Sequence, residues 1–178
     1  MRKLQLDELG RPSPDTLEDL PRHPVVVVLD NIRSAYNVGS IFRTADAARI
    51  QRIHVTGYTP TPEHRKVAKT ALGAEHTVPW SHDPDPFDLL DRLRADGLTL
   101  AALEQTDAPT FIRDVEPAQF PLALVLGNEV KGVRQKIIDR CDLALEIPQY
   151  GAKHSLNVSV AFGIAAFGLV ERWRADHS

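Results

Sequence analysis

Asn37, Arg43, Glu129, Ser155 and Asn157 fall in three polar segments, each of which follows a short apolar run. The first, Asp30 to Asp46, is a polar loop that leaves a run of Val and Leu and enters an apolar-periodic stretch. Loops of this kind lie at the carboxyl ends of strands in open α/β sheets, beside helix N-termini whose free N–H groups favour anionic partners such as phosphate. Asn37 is a candidate cap for that helix, Gly39 permits close backbone approach, and Arg43 follows about one turn later. On spacing alone a plainer reading stays open: Asn37 and Gly39 start a helix and Arg43 is solvated or pairs with an acid.

The second segment runs from Leu122-Ala123-Leu124-Val125-Leu126 into Gly127-Asn128-Glu129-Val130-Lys131-Gly132. Gly127 would let a ligand lie against the strand end. The pattern is neither the dinucleotide fingerprint nor the nucleoside triphosphate P-loop, so those ligands are not indicated. Equally, Gly127 and Gly132 read as turn residues and Glu129 as an exposed acid. In the third segment, Leu145-Glu146-Ile147-Pro148 leads through Gly151 to Ser155, a natural N-cap for a long apolar helix. Asn157, next to Leu156, Val158 and Val160, calls for a specific polar partner.

The elements that must carry these segments can be read from the pattern. Val25–Leu29 is a continuous β-branched run, as in a strand covered on both faces. A helix is expected over Val38–Arg49, a strand over Arg52–Gly57, a helix from Thr61-Pro62 to Gly73, and another between Asp85-Pro86 and Gly97. Strands at Leu98–Leu103, Leu122–Leu126 and Leu143–Ile147, a short helix at Val133–Arg140 and a last helix over Leu156–Arg172 complete the alternation. The fold class is α/β, a mostly parallel sheet flanked by helices. Residues 1–23, rich in proline, form an N-terminal arm, and residues 24–178 form one domain.

Composition narrows the function further. With 43% hydrophobic and 25% charged residues in 178, the chain can build a sizeable core. A net charge of -3 argues against a protein that coats nucleic acid non-specifically, although a local basic site remains compatible with it. The seven histidines show no metal-ligand spacing, so no metal is expected, and the one cysteine, Cys141, reads as a buried structural residue. No stretch has the length of a signal peptide core or a membrane span, so a cytoplasmic protein with no membrane partner is expected.

Taken together, Asn37-x-Gly39-x-x-x-Arg43-Thr44-Ala45, Gly127-x-Glu129-x-x-Gly132, and Ile147-Pro148 with Gly151 and Ser155-Leu156-Asn157-Val158-Ser159-Val160-Ala161 resemble the three motifs of the SpoU-type (TrmH-like) ribose 2′-O-methyltransferases of the SPOUT superfamily. The resemblance covers about Pro24 to Val170, and the stretch Arg65 to Glu75 is similar to a segment of small family members. It implies a C-terminal deep trefoil knot, an obligate homodimer, and S-adenosylmethionine held by backbone near Leu103, Gly127, Ile147 and Leu156. It also implies that Arg43 is the central catalytic residue, that Asn37 and Ser155 position the ribose and Arg43, that Glu129 holds the loops or Arg43, and that Asn157 fixes the third loop. Asn128, Val130, Gln149, Tyr150, Lys153 and His154 stand where relatives vary.

An arginine stays protonated, so Arg43 is expected to bind RNA phosphate bidentately and stabilise developing negative charge rather than remove a proton. Structured RNA is the expected partner, tRNA favoured over rRNA, with Arg33, Arg65, Lys66 and Lys69 as candidate phosphate contacts; a solvated helix face explains those cations equally well. The rival readings are a non-catalytic RNA-binding or assembly factor on the same scaffold, a base methyltransferase of another branch, and an unrelated nucleotide-binding α/β protein.

Overall fold

A computed structural model of the chain describes residues 1–12, 16–17 and 20–177. Pro14, one of the prolines of the expected arm, and the C-terminal Ser178 lie outside the described residues. A short 3-10 turn, Leu6–Leu9, precedes the first strand, β1, at His23–Asp30. There follow α1 at Ala35–Ala47, β2 at Ile50–Thr56, α2 at Arg65–Ala71, α3 at Ala74–Thr77, β3 at Trp80–Asp83, α4 at Pro86–Ala95 and β4 at Thr99–Leu103. The remainder is β5 at Thr110–Phe111, β6 at Leu122–Leu126, α5 at Gln135–Ile138, β7 at Leu143–Glu146 and α6 at Val158–Ala175.

The strands form one seven-stranded sheet in the order β3-β2-β1-β6-β4-β7-β5, and every pairing is parallel. The continuous apolar run of β1 is explained by its central place, because alternate side chains go to opposite faces and both faces are covered. Val25, Val27 and Leu29 join Phe42 of α1 and Phe162 and Leu169 of α6 in one core. Val26 and Val28 join Leu89, Leu90 and Leu93 of α4 and Ile137 of α5 in the other. In a parallel sheet all strand ends point the same way, so the loops after β1, β4, β6 and β7 gather on one edge.

Several boundaries differ from the sequence expectation, each for a local reason. The first helix starts at Ala35, earlier than Val38, because Ser34 is its N-cap: the Ser34 hydroxyl accepts from the backbone N–H of Asn37. The second helix begins at Arg65 with His64 as its cap, Nδ1 accepting from the Lys66 N–H at 3.1 Å, so Thr61 and Pro62 precede it in a turn. Leu72, at φ 54°, takes the left-handed position that ends α2, one residue ahead of Gly73. The last helix begins at Val158 and is capped by Asn157, not by Ser155. The edge strands β3 and β5 carry no apolar run: β3 is Trp-Ser-His-Asp and β5 has two residues.

Candidate functional site

Glu129 is the point at which the first two segments meet. Its carboxylate accepts from the backbone N–H groups of Arg33 at 2.8 Å and Ser34 at 3.0 Å, and from Asn37 Nδ2 at 2.9 Å. Burial pushes this carboxyl upward, but the donors of Arg33, Asn37 and Ser34 outweigh it and hold the group below the ordinary carboxylate range. The group is therefore an ionised, half-buried acceptor and not an exposed acid. Because Ser34 has taken the capping role, the side chain of Asn37 is free to reach across the loops.

The charge on Glu129 sets the direction of a longer relay. A carboxylate can only accept, so Asn37 must turn its amide N–H₂ toward Glu129 and its carbonyl outward. That carbonyl accepts from Asn157 Nδ2 at 3.1 Å. Asn157 Oδ1 is then left to accept, from the Ser159 N–H at 2.9 Å, the Ser159 hydroxyl at 2.6 Å and the Val160 N–H at 3.4 Å. One chain of hydrogen bonds thus joins all three segments, and the partner that Asn157 requires is Asn37.

The second segment is itself folded tightly. Asn128 and Gly132 exchange backbone hydrogen bonds at 3.1 and 2.8 Å. A Cβ on Gly127 would lie 2.3 Å from backbone atoms of Gly132 and Val133, so only glycine fits. Gly39, in contrast, makes room for a neighbouring helix and not for a ligand: a Cβ there would lie 2.1 Å from Thr70 Oγ1 and 2.3 Å from the carbonyl of Val67, both on α2.

Beneath these loops lies a cavity of about 380 Å³. Leu103, Gly127, Ile147 and Leu156 all line it, as do Glu129 and Ser155. Its lining mixes apolar residues with Glu104, Glu146 and other polar residues. The third loop is held over it from one side, where Gln105 Nε2 donates to the carbonyl of His154 at 2.9 Å. A concave site of this size, with apolar residues such as Leu103, Leu126, Ile147 and Leu156 set among polar and charged ones, suits a small organic ligand that carries both an apolar ring and polar groups.

Arg43 is not part of that wall. It is exposed on α1 and makes no hydrogen bond or ion pair among the described residues. Arg65, Lys66 and Lys69 are exposed on α2, which packs against α1, and Arg33 is exposed beside Glu129. Cys141 packs against the second core, and burial, helped by Asp142, pushes its thiol up to about 12, so it offers no nucleophile at neutral pH. Among the described residues no group of three or more His, Cys, Asp or Glu could hold a metal ion, and no helix is long and apolar enough to cross a membrane.

Three supporting residues escape sequence reasoning. Asn128, 8% exposed, donates to the Asn31 carbonyl at 2.9 Å and the Tyr58 hydroxyl at 2.8 Å while accepting from the N–H groups of Val130 and Lys131. Asp30, 1% exposed, takes a bidentate pair from Arg134 at 2.9 and 3.0 Å and a hydrogen bond from Thr56. Glu104 accepts from the Val133 N–H at 2.9 Å, tying the end of β4 to the second loop. An acid directly after an apolar strand was the available signal for Asp30 and Glu104; their partners are far away in sequence.

Comparison with known proteins identifies the family. A profile of the SpoU rRNA Methylase family matches residues 24–167. A Staphylococcus epidermidis protein assigned to the TrmH family of tRNA/rRNA methyltransferases is 32% identical over 156 residues, which is 88% of this chain and 61% of that protein. Among solved structures, the AdoMet-bound rRNA methyltransferase of Sinorhizobium meliloti superposes with a TM-score of 0.78 at 29% identity, covering 90% of this chain and 61% of the other. The A. aeolicus TrmH/SpoU tRNA modifying enzyme gives a TM-score of 0.82 at 25% identity, covering 92% and 84%. The chain therefore spans about three-fifths of the first two relatives. With Asn37, Glu129 and Asn157 of the three motifs joined at one sheet edge and the match running through the sheet, the chain belongs to the SpoU rRNA methylase family.

Proposed function

We propose that this chain is an S-adenosylmethionine-dependent methyltransferase that modifies a ribose 2′-hydroxyl of structured RNA, tRNA favoured over rRNA. The observation that carries the reading is that the four positions expected to hold the cofactor, Leu103, Gly127, Ile147 and Leu156, line one cavity beneath the Glu129–Asn37–Asn157 relay. The residues fit the cofactor's chemistry: Leu103, Leu126, Ile147 and Leu156 in the lining suit an adenine ring, and the acidic residues Glu104 and Glu146 among the lining suit a molecule bearing an amine and a sulfonium. When bound, S-adenosylmethionine supplies an electrophilic methyl group.

The protein must hold the ribose hydroxyl in line and let it lose its proton. In this reading Asn37 and Ser155 orient the ribose, with Asn37 itself oriented by Glu129. Arg43 grips the RNA phosphate with two parallel hydrogen bonds and stabilises developing negative charge, while a phosphate oxygen or water accepts the proton. Arg33, Arg65, Lys66 and Lys69 extend the phosphate-binding surface.

A homodimer belongs to this reading. Arg43 stands outside the cavity wall with no partner of its own among the described residues, which suits work beside the cavity of a second copy. The exposed Val160, Ile164 and Phe167 form a stripe on α6, and α6 packs on α1, which bears Arg43. The trefoil knot and the 24–178 domain extent complete the proposal, supported by a strand order in which β6 and β7 flank β4. Action in the cytoplasm is compatible with an RNA substrate.

Calorimetric titration with S-adenosylmethionine tests the cofactor site. Binding of one molecule per chain, lost in Leu156→Arg, is expected; Leu156 lines the cavity yet is exposed, so the substitution leaves the core intact. No binding by the wild type, or unchanged binding by the variant, would place the cofactor elsewhere or remove it.

A further inference from the structure

The chain has three tyrosines, and all are exposed: Tyr36 at 46%, Tyr58 at 61% and Tyr150 at 93%. All three also belong to the neighbourhood of the site. Tyr36 precedes Asn37, Tyr150 lies in the third loop next to Gln149 of the cavity wall, and the Tyr58 hydroxyl accepts from Asn128, the neighbour of Glu129. Tyrosine rings are large apolar surfaces that proteins ordinarily cover in good part.

Tyr58 is held at both ends while its ring stays open. At the hydroxyl end, Asn128 is almost fully buried and its amide is already committed to Asn31, Val130 and Lys131. At the backbone end, the Tyr58 N–H donates to Asn31 Oδ1 at 3.3 Å. The preceding Gly57 has φ 60°, and a Cβ there would lie 2.2 Å from that same oxygen. A ring fixed in this way loses little further freedom when something flat is laid on it. Cations belong to the same loops: exposed Lys131 donates its backbone N–H to Asn128, which binds the Tyr58 hydroxyl, exposed Arg33 stands two residues after Asn31, which binds the Tyr58 N–H, and Arg65, Lys66 and Lys69 follow in the next helix of the chain, α2.

We propose that Tyr58 is a stacking platform for an unpaired base, so that the RNA bound at this site presents its target nucleotide in a loop or bulge and not inside a helix. The inference rests on the RNA-modifying reading above and narrows its substrate class. Within a duplex each base face is covered by its neighbours, whereas a splayed base offers a free π face to an aromatic ring or a guanidinium, with nearby cations on the phosphates. Stacking of this kind tolerates any base, which matches a platform that offers no base-edge donors of its own.

The test is fluorescence anisotropy with an end-labelled RNA hairpin carrying an unpaired loop and with a blunt duplex of the same composition, for the wild type, Tyr58→Phe and Tyr58→Leu. The wild type is expected to bind the hairpin more tightly than the duplex. Tyr58→Leu should lose roughly tenfold in hairpin affinity with little change for the duplex, while Tyr58→Phe, which keeps the ring face and loses only the bond to Asn128, should stay near the wild type. Equal binding of hairpin and duplex, no effect of Tyr58→Leu, or a Tyr58→Phe loss as large as that of Tyr58→Leu would overturn the proposal; the last result would assign the tyrosine to anchoring Asn128. Absence of methyl transfer in a protein that still shows the Tyr58-dependent hairpin preference would sink the enzymatic reading and leave this one standing.

Discussion

Glu129 shows how one charge can organise three distant segments. It forces the orientation of Asn37, and through it that of Asn157, so a neutral isostere should disturb the whole relay. In Glu129→Gln one amide N–H₂ would face a donor among Arg33, Ser34 and Asn37, at a cost of about 1–3 kcal/mol in urea unfolding. The pH dependence should carry the same signature. Because the folded-state carboxyl lies below its unfolded value near ~4.3, its contribution is present above that value and is lost as pH falls through the lower folded value. The wild-type advantage over Glu129→Gln should therefore shrink on acidification below about pH 4; an unchanged advantage there would mean that the relay does not depend on ionised Glu129. At this scale the sequence exposes which residues carry chemistry, since Asn37, Glu129 and Asn157 all stand out by type. It hides who caps what: Ser34, Ser155 and Asn157 are all good N-cap types, and a partner 120 residues away decides that Asn157 is used.

The packing of α1 on α2 fixes the direction from which Asn37 and Arg43 leave their helix. Gly39 is the contact point, and its neighbours are the carbonyl of Val67 and the Thr70 hydroxyl, which also donates to the Tyr36 carbonyl at 3.1 Å. Gly39→Ala should force the helices apart, lowering stability by about 1–3 kcal/mol in thermal or denaturant unfolding despite the better helix propensity of alanine. A stabilised Gly39→Ala would show that this contact is slack. Element type was legible wherever a run was long and apolar, as in β1, β4, β6 and α6, because a continuous apolar run leaves an unmistakable pattern. The edge strands β3 and β5 were not, since half-buried Ser81 and exposed His82 carry no such pattern and the pairing of these strands is set by β2 and β7.

For the whole molecule, the parallel sheet explains why segments spread over 120 residues meet: every strand delivers its loop to the same edge. The all-parallel arrangement follows from the alternation of strands and helices, but the order β3-β2-β1-β6-β4-β7-β5 does not, because which strands become neighbours depends on long-range packing. The apolar stripe of Val160, Ile164 and Phe167 leaves the single chain with a face that water covers poorly. Ile164→Glu with Phe167→Glu should convert a dimer to a folded monomer in analytical ultracentrifugation, with circular dichroism unchanged and with methyl transfer lost if Arg43 serves a neighbour's cavity. A variant that stays dimeric would move the interface off α6.

The central claim is that this site moves a methyl group to a ribose oxygen with Arg43 as the indispensable fork. Its most direct test is transfer of labelled methyl from S-adenosylmethionine to unmodified tRNA and rRNA, followed by nucleoside analysis, for the wild type, Arg43→Ala and Arg43→Lys. The account predicts a 2′-O-methylated nucleoside with the wild type, none with Arg43→Ala, and most of the activity lost with Arg43→Lys, because a single ammonium cannot reproduce the bidentate grip. A methylated base as the product, or full turnover by the Arg43 variants, would contradict it.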